Sequence, residues 1–146
     1  MEAAAFPLTF LTAWHMLVTR AELRPGETVL ILAAGSGVGQ AAIQVARAQG
    51  ARVIVTAGSE QKLARARKLG AHEGIDHYTQ DIAKEVRRFT DRRGVDVVFE
   101  HVGADTWAGS MLCLRRGGRL VTCGSTSGVS TSMNLMQLFQ QQLKIL

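Results

Sequence analysis

The chain has 146 residues, 47% of them apolar and 20% charged, which suits a single domain with a sizeable core and excludes a disordered tail. No apolar run approaches the roughly 20 residues of a membrane span. Lys and Arg number 17 against 12 Asp and Glu, a formal charge of +5; this favours an anionic partner or simply a basic surface, but the separated pairs Arg87-Arg88, Arg92-Arg93 and Arg115-Arg116, with little aromatic interleaving, argue against a nucleic-acid groove.

Pro7 ahead of the run Leu8 to Val18 predicts a helix opening at the proline. Arg24-Pro25-Gly26-Glu27 reads as a turn. Thr28 to Leu32 is apolar without a polar face, as expected of a strand buried on both sides. Gly35 to Gly39 is a glycine-rich turn, and Gln40 to Gln49 an Ala-rich helix closed by Gly50. Arg52 to Thr56 is a second apolar strand. Ser59 caps a helix running to Leu69, which Gly70 ends. Glu73 to His77 is a short third strand. Asp81 to Thr90 is a helix with Ile82, Val86 and Phe89 on one face. Val95 to Glu100 is a fourth strand, followed by a helix from Asp105 to Leu114 that Gly117-Gly118 stops. Arg119 to Cys123 is a fifth strand, Asn134 to Gln141 a last helix, and Leu143 to Leu146 the start of a sixth strand. Strands alternating with helices predict right-handed βαβ units: a doubly wound parallel α/β sheet of about six strands with helices on both faces. Ligands of such sheets bind at the carboxyl ends of the strands, near the reversal in strand order.

The two cysteines, Cys113 and Cys123, form no C-x-x-C pair. They are expected to be small core residues in a reducing cytoplasm rather than metal ligands or a disulfide. No metal site is expected in this chain.

Ala33-Ala34-Gly35-Ser36-Gly37-Val38-Gly39 follows a strand and opens a helix, the context in which a glycine fingerprint has meaning. Backbone N–H groups there can approach an anion without a Cβ in the way, and the helix start is a seat for a pyrophosphate. Gly39 also suits close packing of helix on sheet. The alternative is a tight turn that holds no ligand. A Walker A loop is excluded, since no G-K-[ST] follows. NAD and S-adenosylmethionine sites usually place an acid at the end of the second strand. Here Val53-Ile54-Val55-Thr56 runs into Ala57-Gly58-Ser59 without one. Small residues there, with Ser59 as a donor and Lys62 one helical turn in, favour NADP over NAD. Lys62 can equally be part of a solvated helix face.

These residues resemble the coenzyme domain of the medium-chain dehydrogenase/reductase superfamily, above all its zinc-binding alcohol dehydrogenase and quinone oxidoreductase branches. The likeness rests on the segment from Ala4 to Trp14, on Gly26-Glu27-Thr28-Val29-Leu30-Ile31, Ala33 to Gly39, Lys68-Leu69-Gly70-Ala71, Gly94-Val95-Asp96-Val97-Val98 and Gly117-Gly118-Arg119-Leu120-Val121. Val102-Gly103 and Asp105-Thr106-Trp107 add to it. The resemblance implies a Rossmann fold and these roles. Thr12 faces the nicotinamide-side phosphate or ribose. Gly35, Ser36, Gly37, Val38 and Gly39 line the pyrophosphate. Gly58, Ser59 and Lys62 hold the adenosine 2′-phosphate, and His77 stands where quinone reductases often carry a Tyr near it. His101 lies beside the adenosine, and Cys123, Gly124, Ser125 and Thr126 approach the nicotinamide half. His15 and His72 are expected to be surface or partly buried histidines without a role.

The family places its catalytic domain, with any zinc ligands, before the coenzyme domain, and that part is not in this sequence. The chain is therefore expected to be a coenzyme domain of a longer parent, with Met1 added before Glu2. It would bind NADPH without turnover of its own, while the parent moves hydride between the cofactor and a small alcohol, carbonyl, enone or quinone. Zinc would belong to the parent and not to this chain. A homodimer through the apolar C-terminal edge strand is expected. A methyltransferase using S-adenosylmethionine and a non-catalytic nucleotide-binding module are the competing readings.

Overall fold

The computed structural model describes residues 7–146 in full, and residues 2–6 only as part of the first helix. Six strands form one sheet: β1 (Thr28–Ile31), β2 (Arg52–Ala57), β3 (Glu73–Asp76), β4 (Val95–Glu100), β5 (Leu114–Thr122) and β6 (Lys144–Ile145). Their order is β3-β2-β1-β4-β5-β6, and every pairing is parallel. The chain leaves β1 toward β2 on one side and returns to β4 on the other. The strand order reverses between β1 and β4, which opens a crevice above their carboxyl ends.

Helices cover both faces: α1 (Glu2–Trp14) with a π-helical turn His15–Arg20, α2 (Gly37–Ala48), α3 (Glu60–Leu69), α4 (Ile82–Phe89), α5 (Ala104–Cys113) and α6 (Leu135–Gln140). Side chains along a strand alternate between the two layers. Val29 and Ile31, Val53 and Val55, with Val97 and Phe99, join the core beneath α1, α2 and α3. Leu30 and Leu32, Ile54 and Val98 join the core beneath α4 and α5. All four residues of β1 and all six of β4 are buried. That is why both strands read as largely apolar runs, interrupted only by Thr28, Asp96 and Glu100, and each buried apolar side chain contributes roughly 1.5–3 kcal/mol by leaving water.

One buried carboxylate ties the amino ends of the central strands. Asp96 accepts the Thr28 N–H at 2.8 Å and is paired with Arg93 at 2.7 Å and with Arg115. Burial alone would raise its pKa; the Thr28 N–H and the two guanidinium groups outweigh burial and hold it below 3.8.

The structure corrects four expectations. Pro7 lies inside α1 rather than at its start; a proline forfeits one helical hydrogen bond, but its fixed φ is a helical one, and the helix runs on through it. α2 begins at Gly37, inside the glycine turn, because Ser36 is its cap. Gly117-Gly118 do not stop the preceding helix: α5 passes directly into β5 at Leu114, and both glycines lie within that strand. The reason is crowding. A Cβ at Gly94 would lie 2.8 Å from both the Arg115 nitrogen and the Cys113 carbonyl, so the entries to β4 and β5 touch and leave no room for a linker. Finally, Cys113 is buried as expected, and burial pushes its thiol up to about 12, but Cys123 is exposed.

Candidate functional site

The loop between β1 and α2 is folded by its own backbone and by β2. Ala33 takes a left-handed conformation, φ 47°. Its N–H donates to Thr56 Oγ1 at 3.1 Å, and the Ala34 N–H to the Thr56 carbonyl at 2.8 Å. The Ser36 N–H returns to the Ala33 carbonyl at 3.0 Å, while Ser36 Oγ accepts the Gly39 N–H at 3.0 Å. The N–H groups of Gly35, Gly37 and Val38 find no acceptor among the described residues. Three free donors at the positive end of a helix are what an anionic diphosphate requires.

The glycines of this loop differ in what they permit. A Cβ at Gly39 would lie 2.6 Å from the Ala33 carbonyl oxygen, a clash with backbone that enforces the expected close packing. A Cβ at Gly37 would meet only the Thr9 methyl at 3.3 Å, and one at Gly35 only the Lys62 side chain, nearest at 3.0 Å. The Lys62 stem therefore lies across Gly35.

At the carboxyl end of β2, Ser59 caps α3 by accepting the Lys62 N–H. Lys62, Arg65 and Lys68 line one cavity of about 540 Å³ with Ala34, Gly35 and Gln40, and no acid among the described residues lines it. Gly58 is overlain by two rings: a Cβ there would sit 2.4 Å from Tyr78 Cε2 and 3.1 Å from His77 Nε2. His77 thus does stand beside Gly58. Tyr78, which the sequence reading passed over, stands beside it too, in edge contact with His77 at 4.5 Å between centroids. Asp76 was also missed; it pairs with Ala57 across the sheet. One of its carboxylate oxygens accepts the Tyr78 N–H at 3.0 Å, so it shapes this turn.

The far side of the crevice is built from the ends of β4 and β5. His101 is buried, with Nε2 3.0 Å from the Leu32 carbonyl. As the donor, it ties the ends of β1 and β4 across the point of reversal. Thr126 Oγ1 approaches the His101 carbonyl at 3.4 Å, and a Cβ at Gly124 would lie 3.0 Å from that same oxygen. Ser125 backs on Gly103, whose Cβ would meet Ser125 Cα at 2.8 Å. Thr12 and Cys123 line a shared cavity of about 520 Å³ with Leu11, His15 and Thr122. The Thr12 hydroxyl donates to the Leu8 carbonyl at 2.7 Å. The Cys123 thiol is raised by partial burial.

Glu100 organises this side, and sequence reasoning had it only as a strand end. It is wholly buried. One oxygen accepts the Val102 and Gly103 N–H groups at 2.7 and 3.1 Å. The other accepts the hydroxyls of Thr106 and Ser110 at 2.9 and 2.7 Å. The signal was available: an acid at a strand end, then hydroxyls six and ten residues later, too apolar a setting for an unpaired carboxylate. Among the described residues, no three of His, Cys, Asp and Glu converge as metal ligands, and no helix is long and apolar enough to cross a membrane.

Residues 37–146 match the family described as zinc-binding dehydrogenase. The chain is 40% identical over 140 residues to quinone oxidoreductase 1 of Escherichia coli, covering 96% of this chain and 43% of that protein. Among solved structures, it matches an NAD-dependent alcohol dehydrogenase with TM-score 0.93 and 50% identity over 99% of this chain and 42% of that one. It matches Escherichia coli quinone oxidoreductase complexed with NADPH with TM-score 0.92 and 39% identity, over 99% and 45%. The chain thus spans less than half the length of these relatives. It belongs to the zinc-binding dehydrogenase family, and corresponds to the coenzyme-binding domain of the medium-chain dehydrogenase/reductase superfamily.

Proposed function

We propose that this chain is the NADPH-binding domain of an oxidoreductase, whose parent protein transfers hydride between the nicotinamide and a small alcohol, carbonyl, enone or quinone. The observation that carries the reading is the Lys62 side chain lying over Gly35, between three free N–H donors and an acid-free cavity. When bound, the cofactor supplies the hydride chemistry, and the protein's part is to position it. Gly35, Gly37 and Val38 would offer their N–H groups to the diphosphate, with Ser36 and Gly39 fixing the loop. Gly58, Ser59 and Lys62 would hold the adenosine 2′-phosphate, with the Lys62 ammonium neutralising it. His77 would flank that phosphate, and His101, tying the ends of β1 and β4, would lie beside the adenosine. Thr12, Cys123, Gly124, Ser125 and Thr126 would border the nicotinamide half. A reducing compartment, the cytoplasm, suits the exposed Cys123 thiol. Substrate would be selected by the rest of the parent, and any zinc would be held there.

The oxidoreductase names of the relatives favour hydride transfer over methyl transfer. One relative favours NAD as cofactor, since the solved structure at 50% identity is named NAD-dependent. Calorimetric titration of the chain with NADPH and NADH decides between the two. NADPH is expected to bind at least tenfold tighter, and Lys62→Ala to weaken NADPH while leaving NADH nearly unchanged. Equal affinities in the unaltered chain would overturn the NADP assignment.

A further inference from the structure

The three arginine pairs that stand apart in sequence converge in the fold. Arg87 comes from the last turn of α4, Arg92 and Arg93 from the loop before β4, and Arg115 and Arg116 from the start of β5. All but Arg88 line one cavity of about 460 Å³, with Gly94, Leu114 and the amide side chains of Asn134, Gln137 and Gln141. It opens at the amino ends of β4 and β5, the end of the sheet opposite the dinucleotide crevice.

Backbone geometry brings these arginines together. Asp91 and Arg92 are both left-handed, φ 49° and 67°, and the Arg92 N–H closes on the Arg87 carbonyl at 2.7 Å. The contact of Gly94 with the backbone of residues 113–115 sets the first loop directly against the second. Two of the five guanidinium groups have a structural partner, since Arg93 and Arg115 share Asp96. Arg116 makes only a long contact with Gln142, at 3.5 Å. Arg87 and Arg92 have no side-chain partner among the described residues, and Glu85 is committed to Arg88. Among the described residues, the cavity wall carries no acid. The carboxyl ends of α4 and α5 point here with a partial negative charge of about half a unit each; together with the Asp96 carboxylate they would offset two of the arginines, and five exceed them.

We propose that this cavity is a second anion site, taking a compact polyanion that carries a diphosphate or polyphosphate group. Planar guanidinium forks bind phosphate oxygens in pairs, and forks from three segments can surround two phosphates at once. No aromatic side chain lines the wall, so the site reads phosphate and not a base. It rests on residues that the proposed cofactor site does not use, and it stands or falls separately.

The test is titration of the isotope-labelled chain with inorganic pyrophosphate at constant ionic strength, followed by amide chemical shifts. Saturable shifts are expected at Arg92, Gly94, Arg116 and Gly117. ADP is expected to bind about as tightly as pyrophosphate, because its base finds no ring to stack on. Arg92→Ala with Arg116→Ala should weaken pyrophosphate at least tenfold, and Arg87→Ala alone should weaken it several-fold. Lys62→Ala should leave these shifts in place. Three results would each overturn the proposal: shifts confined to Gly35–Gly39, shifts that grow without saturation and equally with chloride, or unchanged affinity in the double variant.

Discussion

A methyl group at position 39 has nowhere to go. The backbone carbonyl of Ala33 blocks it at 2.6 Å and Ser36 Oγ at 2.9 Å, and Ala33 is itself held left-handed by Thr56. Gly39→Ala is therefore expected to destabilise the fold by about 1–3 kcal/mol, the usual cost of overpacking. Gly37→Ala presses only on a threonine methyl and should cost less. Urea denaturation of the two variants checks the order; a Gly39→Ala as stable as the unaltered chain would refute it. Glu100 shows the opposite case, a residue made necessary by what it satisfies. Its four hydrogen bonds pin the loop between β4 and α5 from within. No substitution by an apolar residue could preserve them.

At the scale of elements, His72 has a role that its sequence context did not suggest. It joins three of them. The Val53 N–H of β2 donates to His72 Nδ1 at 2.9 Å, and the His72 N–H donates to the Val53 carbonyl at 2.8 Å. Arg47, in the last turn of α2, lies 2.8 Å from Nε2. His72 itself leads into β3. Burial first, and then the Arg47 charge, lower its pKa from 6.5. The folded chain thus takes up this proton less readily than the unfolded chain. The neutral ring costs nothing above pH 6.5, and stability falls as pH drops below that value, levelling off beneath the folded pKa. Thermal melts from pH 7.5 to about 5.5 should show a steeper loss for the unaltered chain than for His72→Gln. His15, His77 and His101 are common to both proteins, so parallel slopes would sink the assignment.

The elements also show what the sequence could disclose. β1, β2 and β4 were legible because burial on both faces leaves mostly apolar residues, with Thr28, Arg52, Thr56, Asp96 and Glu100 the exceptions. α3 was legible because Ser59 and Gly70 mark its ends, with Gly70 left-handed at φ 117°. The start of β5 was not, because Gly117-Gly118 signal a break locally, while contact with Gly94 decides otherwise. In the site, the glycine loop and Lys62 were legible, since phosphate-facing backbone needs small residues in fixed order. Tyr78 over Gly58 and Asp76 beside Ala57 were not, because each depends on strand register or on a turn; Glu100 left a signal in its spacing to Thr106 and Ser110, but its two backbone bonds depend on the turn after β4. The arginine pairs were visible but their meeting was not, since 22 residues separate Arg93 from Arg115 and only the adjacency of β4 and β5 joins them.

For the molecule as a whole, the outer rim of the sheet is β6, an edge strand with one neighbour among the described residues. The Leu146 N–H and carbonyl are both bonded to β5, at 2.9 and 3.0 Å. Alternation along the strand then turns the Ile145 N–H and carbonyl outward. The proposed homodimer would pair these groups with their twins. Sedimentation at tens of micromolar is expected to give twice the 15.8 kDa of one chain, and Ile145→Pro, which deletes an outward donor, to give the single mass. A monomer at that concentration in the unaltered chain would end the proposal. A ribbon of two residues has one more consequence. Water would serve its open groups in dilute solution and, in the proposed dimer, a second molecule would serve them in concentrated solution. The free energy of folding would thereby acquire a dependence on the logarithm of how much protein is present. Expression level would then set the melting point as surely as any side chain does.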